Sequence, residues 1–186
     1  GEGTYSDRRG TRFEGDWVDG QLCGHGIVIN GKDGKRYEGE WQNRGPHGTG
    51  SLIHPNGDEY TGEYSNGKMH GKGIYTYALG RVYTGEMKDD MRHGSGIQTW
   101  PDGRRYEGEW VGGKIQGHGT YLYRSGATYE GEFKGSKREG SGMYVWVDGR
   151  MHRGEWRKDR KHGRGTFTDT HGVATEGEWR DDRLVS

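Results

Sequence analysis

The sequence predicts an all-β fold, an antiparallel meander of tandem hairpins, and three observations predict it. First, the segment Tyr37-Glu38-Gly39-Glu40-Trp41 recurs along the whole chain. It returns as Phe13–Trp17, Tyr60–Tyr64, Tyr83–Met87, Tyr106–Trp110 and Tyr129–Phe133, then in worn form as His152–Trp156 and Thr175–Trp179. The starts at 13, 37, 60, 83, 106, 129, 152 and 175 are 24 residues apart once and 23 apart thereafter. Such a period marks a repeat architecture. Second, a Gly-x-Gly keeps the same step, as at Gly24/Gly26, Gly71/Gly73, Gly117/Gly119 and Gly163/Gly165. Third, a glycine stands three residues before each leading position, from Gly10 and Gly34 to Gly172.

Each element follows from these positions. Glycine every few residues excludes helix throughout. Within the first strand of a unit, alternation places Tyr37, Gly39 and Trp41 on one face and Glu38 and Glu40 on the other. Within the second, Gly71, Gly73, Tyr75 and Tyr77 are expected on one face, with Lys72, Ile74 and Thr76 opposite. Asp19-Gly20, Asn66-Gly67 and Gly112-Gly113 read as two-residue type I′ hairpin turns, which need positive φ at both centres. Asn56-Gly57, Asp102-Gly103 and Asp148-Gly149 carry the same signal at the other end of the hairpin. Rings of one strand are therefore expected over bare glycine backbone of the next, with Gly39, Trp41, Gly62, Gly108, Trp110 and Gly131 as structural positions. At about 4.8 Å per strand, some sixteen strands predict an elongated, twisted, single-layer rod of roughly 70–80 Å. The array is expected to be cut mid-unit at both ends, as a piece of a longer protein.

Composition agrees. Of 186 residues 39 are glycine and only 27% are hydrophobic, with a mean hydropathy of −1.22. Disorder would follow from that alone, but aromatics reach 12%, and disordered chains are depleted in them. Net charge is zero, 28 basic against 28 acidic residues, which argues against nucleic-acid binding. A lone Cys23 excludes an intrachain disulfide and fits a reducing cytoplasm. No apolar run approaches the length of a membrane-spanning helix.

Read off Tyr60–Gly73, the pattern Tyr-x-Gly-Glu-aromatic followed by Asn-Gly-Lys-x-His-Gly-x-Gly resembles the MORN repeat, the membrane occupation and recognition nexus. The resemblance covers essentially the whole chain and implies a β-hairpin array. It further implies kinship with repeat-only proteins that scaffold cytoskeleton in protozoan parasites. Departures are Met87 at the Trp place, Cys23, Gln116 and Glu139 at the His place, and His152 and Thr175 at the leading place.

Several constellations suggest chemistry. The histidines His47, His70, His93 and His162 lie about 10 Å apart between units, too far to converge on one metal ion. The carboxylate pairs Glu38/Glu40, Glu107/Glu109 and Glu130/Glu132 recur, whereas a catalytic pair should be singular; they read as a solvated or turn-supporting ladder. No cofactor, metal or enzymatic activity is expected. Basic residues near the hairpin tips, Lys68, Arg92, Lys114, Lys137, Arg138, Arg160 and Lys161, form a candidate row for anionic phosphoinositide headgroups. The edge strand at 175–179 suggests an antiparallel homodimer through Trp156, Phe167, Thr175, Glu176 and Trp179. The expected function is a self-associating structural scaffold for cytoskeletal or scaffold-protein partners, cytoplasmic and near a membrane; the alternative is a phosphoinositide-binding recruitment module.

Overall fold

The computed structural model describes all residues 1–186, and the chain divides into two compact units, Gly1–Arg92 and His93–Ser186. Unit 1 carries β1 (Glu2–Ser6), β2 (Arg12–Val18), β3 (Gln21–Ile29), β4 (Arg36–Gln42), β5 (Gly45–Ile53), β6 (Glu59–Ser65), β7 (Lys68–Thr76) and β8 (Val82–Lys88). Unit 2 carries β9 (Met91–Thr99), which begins at the border, then β10 (Arg105–Val111), β11 (Lys114–Leu122), β12 (Thr128–Lys134) and β13 (Lys137–Val145). It ends with β14 (Met151–Arg157), β15 (Arg160–Thr168), β16 (Ala174–Arg180) and the short β17 (Arg183–Leu184). In each unit consecutive strands pair antiparallel, so the expected all-β meander is what the chain forms.

The core is made of rings over glycine. Gly62 pairs with Gly73 and Tyr60 with Tyr75, and the Tyr60 ring lies flat over that glycine pair. A Cβ on Gly62 would stand 2.6 Å from the Tyr60 hydroxyl and 2.5 Å from Gly73 Cα. The same stack recurs at Tyr106 over Gly108 and Gly119, and at Tyr129 over Gly131 and Gly142. Tyr60, Tyr106 and Tyr129 are fully buried as a result. Each hydroxyl crosses the glycines to donate to the carbonyl three residues on: Tyr60 to Glu63 at 3.1 Å, Tyr37 to Glu40 at 2.7 Å and Tyr129 to Glu132 at 3.1 Å. Burial of the rings raises these phenols, Tyr37 and Tyr60 to about 12.

Two expectations need correcting. The second strand does not alternate evenly, because Gly62↔Gly73 is followed by Tyr64↔Met69. Two extra residues of β7 bulge out, and Gly71 takes the left-handed conformation at φ 58. Gly71 therefore faces the Glu63 carboxylate and not the rings. The second carboxylate of the motif caps this bulge: Glu63 accepts the Lys72 amide at 2.9 Å, Glu109 that of His118 at 2.8 Å, and Glu132 that of Ser141 at 2.8 Å. The first carboxylate instead pairs with the arginine two residues before it, Arg36–Glu38 and Arg105–Glu107 both at 2.6 Å.

The second correction concerns turns. The hairpin tips are type I′ as expected, with Asn66 at φ 51 and Gly67 at φ 79. At the other end only the glycine has positive φ, as at Gly57 (φ 89). There Gly57 N donates to His54 O at 2.9 Å and His54 N to Asp58 O at 2.8 Å, a longer loop in which one left-handed glycine closes the turn. The second such loop, after Asp7–Thr11, spans Asn30–Lys35 and holds the one additional residue of the 24-residue interval.

Tips are also joined to the preceding unit. Asp159 N donates to Arg138 O at 3.1 Å while Arg138 N donates to Asp159 Oδ1 at 2.9 Å. Met69/Asp90, Ile115/Ser136 and Lys161/Asp182 repeat the reciprocal pair. Pro46 has no N–H to give, and the tip it meets is Gly67, which has no side chain to receive one; a single Gly67 N→Pro46 O bond of 2.9 Å remains.

Candidate functional site

The ring face is not closed everywhere. From Tyr37 to Tyr129 the leading rings are buried, but the rings of the second strands and of the loops after them stay half-buried. In unit 2 they form a continuous belt. Centroid distances are 5.8 Å for Trp100–Tyr121, 4.6 Å for Tyr121–Tyr123 and 5.5 Å for Tyr123–Tyr144. The belt continues with 4.7 Å for Tyr144–Trp146 and 6.0 Å for Trp146–Phe167. Alternation places Tyr121 and Tyr144 on this face, and the loop geometry continues it to Tyr123 and Trp146.

Cations stack on the belt and fix its rings. The Arg104 guanidinium lies 5.0 Å from the Trp100 centroid and that of Arg150 5.6 Å from Trp146. Arg138 lies 5.2 Å from Tyr144 and 4.4 Å from Trp156. Each of these arginines has an aspartate: Asp102 at 2.8 Å from Arg104, Asp148 at 2.7 Å from Arg150 and Asp159 at 3.5 Å from Arg138. Charge at the belt is thereby largely matched. Burial pushes the Tyr123 phenol up to about 12, against the opposing pull of Arg138.

The expected headgroup row does not lie on one surface. Arg92, Arg138 and Lys161 are on the ring face, and Lys161 Nζ lies 4.0 Å from the Trp179 centroid. Lys68 and Arg160 are drawn to the next tips, at 3.4 Å from Asp89 and 3.8 Å from Asp181. Lys114 and Lys137 are exposed. Of the expected dimer residues, Trp156 and Trp179 are buried within unit 2, packed edge-on against His152 at 5.4 and 4.9 Å. Phe167 is half-buried at the end of the belt, and Thr175 and Glu176 are exposed. Residues after the last tip fold back on β16, with Glu178 N donating to Ser186 O at 2.8 Å.

The places taken by histidine in other units have a visible role where they depart from it. Gln116 accepts the Gly135 amide and Glu139 the Lys158 amide, both at 3.0 Å, which ties each to the next tip. No three His, Cys, Asp or Glu side chains converge to hold a metal ion. The alternation that places Tyr75 and Tyr77 on one face applies equally to Tyr121 and Tyr123 and to Tyr144 and Trp146, but it does not single out Trp100. A signal was present in the ring that follows five successive second strands, His54, Tyr77, Trp100, Tyr123 and Trp146, where Asn30 and Asp169 stand in the flanking repeats.

Comparison with known proteins gives a consistent picture. A family model described as MORN repeat matches residues 13–29, 37–59, 60–78, 83–104, 106–128, 129–149 and 152–172. No curated protein matches the chain. Among solved structures, the TCP domain of Drosophila melanogaster SAS-4, in complex with a proline-rich motif of Ana2, is similar at 11% identity. That likeness covers 96% of this chain and 90% of the other with a TM-score of 0.51. The TCP10 domain of Danio rerio CPAP in complex with a STIL peptide matches at 15% identity over 96% and 95% of the two chains, with a TM-score of 0.29.

Proposed function

The chain belongs to the MORN repeat family, and from that premise we propose that it is a non-enzymatic scaffold which holds partner proteins within a cytoskeletal assembly. The observation that carries this reading is the half-buried aromatic belt of unit 2. Rings fixed by a hydrogen-bonded sheet and by stacked arginines offer apolar area at little cost in conformational freedom, as binding hot spots do. The carboxylates, by contrast, recur from unit to unit and hold bulges, where catalysis needs a singular set in a cleft. The Drosophila SAS-4 domain, similar in fold, is seen with a protein motif bound, which supports reading such a sheet as a surface for protein partners.

Likeness to the repeat-only scaffolds of protozoan parasites is part of the same proposal. Self-association is a second part, with a smaller footprint than the sequence suggested, since Trp156 and Trp179 are packed inside the unit. Phosphoinositide binding would draw mainly on the exposed Lys114 and Lys137. Detergent extraction of cells followed by sedimentation tests the scaffold reading. The chain is expected in the cytoskeletal pellet, and the double variant Tyr123→Leu/Trp146→Leu in the supernatant at an unchanged fold. A wild-type chain that stays in the supernatant, or that pellets only with anionic vesicles, overturns it. Light scattering checks self-association: about 42 kDa is expected for a dimer of the 21.0 kDa chain.

A further inference from the structure

The belt repeats with the array, and its repeat length selects the shape of a ligand. Trp100, Tyr123 and Trp146 hold one position in successive repeats, each the first residue beyond a second strand. Equivalent positions are two strand spacings apart, about 9.6 Å. A polyproline-II helix turns once in three residues at about 3.1 Å each, a period of about 9.3 Å. Over the two intervals from Trp100 to Trp146 the accumulated mismatch is about 0.6 Å. An α-helix needs two turns, about 10.8 Å, and drifts by more than 1 Å in each interval. An extended strand spans the interval in about three residues, an odd number, so alternate contacts would face away.

Electrostatics point the same way. Arg104, Arg138 and Arg150 stack on the belt with Asp102, Asp159 and Asp148 beside them. Around Trp100 and Tyr123 this matched charge suits an uncharged pyrrolidine ring better than a phosphate, and only the far end carries an additional cation, Lys161 at 5.8 Å from the Trp146 centroid. Aromatic-lined surfaces recognise proline-rich segments because the ligand is extended and stiff before it binds.

We propose that the ring face of unit 2 is a docking site for a proline-rich segment of a partner protein, lying across the strands in the polyproline-II conformation with one proline against each of Trp100, Tyr123 and Trp146. This rests on the scaffold reading above and gives its partner a chemical class. Fluorescence anisotropy tests it with two labelled fifteen-residue peptides of identical composition. One has proline at every third position; the other has the same prolines spaced alternately by two and four. The in-register peptide is expected to bind at least tenfold more tightly, and Trp100→Leu, Tyr123→Leu and Trp146→Leu each to weaken it about three- to tenfold. In-register peptides should tighten on the unaltered protein from three to six to nine residues, as the second and third rings are reached, and gain nothing further at twelve, which keeps the test independent of any variant's folding. Equal affinity for the two spacings, no gain per triplet up to nine residues, or displacement of the peptide by phosphoinositide vesicles overturns the proposal. If neither peptide binds while the chain still pellets with cytoskeleton, this inference falls and the scaffold reading stands.

Discussion

Gly108→Ala puts one methyl group where the fold has no room for it. The new Cβ would stand 2.5 Å from His118 O, 2.5 Å from the Tyr106 hydroxyl and 2.6 Å from Gly119 Cα. Two of these are backbone atoms of β11, held by the Gly108↔Gly119 pairing, so the strands must part locally and the ring must lift as well. Overpacking of a filled site costs about 1–3 kcal/mol. Lifting the ring also breaks the Tyr106 hydroxyl bond to Glu109 O at 3.1 Å, worth about 0.5–1.5 kcal/mol. The expected loss is about 2–4 kcal/mol. Two controls bracket it. Glu107→Ala removes an exposed ion pair with Arg105 and should cost under about 1 kcal/mol. Gly149→Ala strains a φ of 90 but meets nothing within 4 Å, and should cost about 1 kcal/mol. Urea unfolding followed by tryptophan fluorescence measures all three. A midpoint for Gly108→Ala equal to that of Glu107→Ala would refute the packing of rings on glycine.

Other outcomes follow from the same contacts. Tyr129→Phe keeps the ring and loses only the bond to Glu132 O, so the midpoint should fall by about 1 kcal/mol; a loss above about 3 kcal/mol would mean the ring itself had moved. Glu40 accepts the Thr49 amide and hydroxyl, which holds its carboxyl below the ordinary glutamate value of 4.5. Its folded pKa being depressed, its contribution is present above the unfolded pKa and is lost as pH falls through the folded one. Glu40→Gln should flatten that acid limb in a pH series of melting temperatures. Burial, with Lys161 nearby, pushes the His152 imidazole down from 6.5 to about 4. For this base stability is full above pH 6.5 and falls by up to roughly 3 kcal/mol towards pH 4. Neither ring nitrogen of His152 has a partner; His152→Tyr should remove the pH dependence and add about 1 kcal/mol through a hydroxyl to the Glu155 carbonyl. Superimposable pH profiles for the two proteins would count against it.

Position-by-position spacing was enough to place the rings on glycine, because both sit at fixed steps from one recurring motif. It was not enough to find the bulge at Gly71. An insertion of two residues preserves the alternation on either side, so Tyr75 and Tyr64 keep their face while Gly71 changes its own. The split between Glu38 and Glu40 was hidden for the same reason, since only the bulge distinguishes two acids two residues apart. Tip contacts such as Pro46 with Gly67 join residues 21 positions apart in chain order, and neither residue is unusual alone. The exposure of Trp100 and Trp146 depends on what lies across the strand, and a list of aromatic positions cannot tell a covered ring from a half-open one.

The reciprocal bonds at the tips give the array a mechanical grain. Where Met69 and Asp90 or Arg138 and Asp159 clasp each other, two bonds must break together before neighbouring hairpins can peel apart. At Pro46 and Gly67 a single bond holds the same junction. Under tension, or during transient opening in the native state, this junction of unit 1 should part before the doubly clasped one at Met69 and Asp90. Amide exchange and proteolytic nicking should therefore enter unit 1 at the loops flanking β5 and β6 before they reach the hairpins clasped twice.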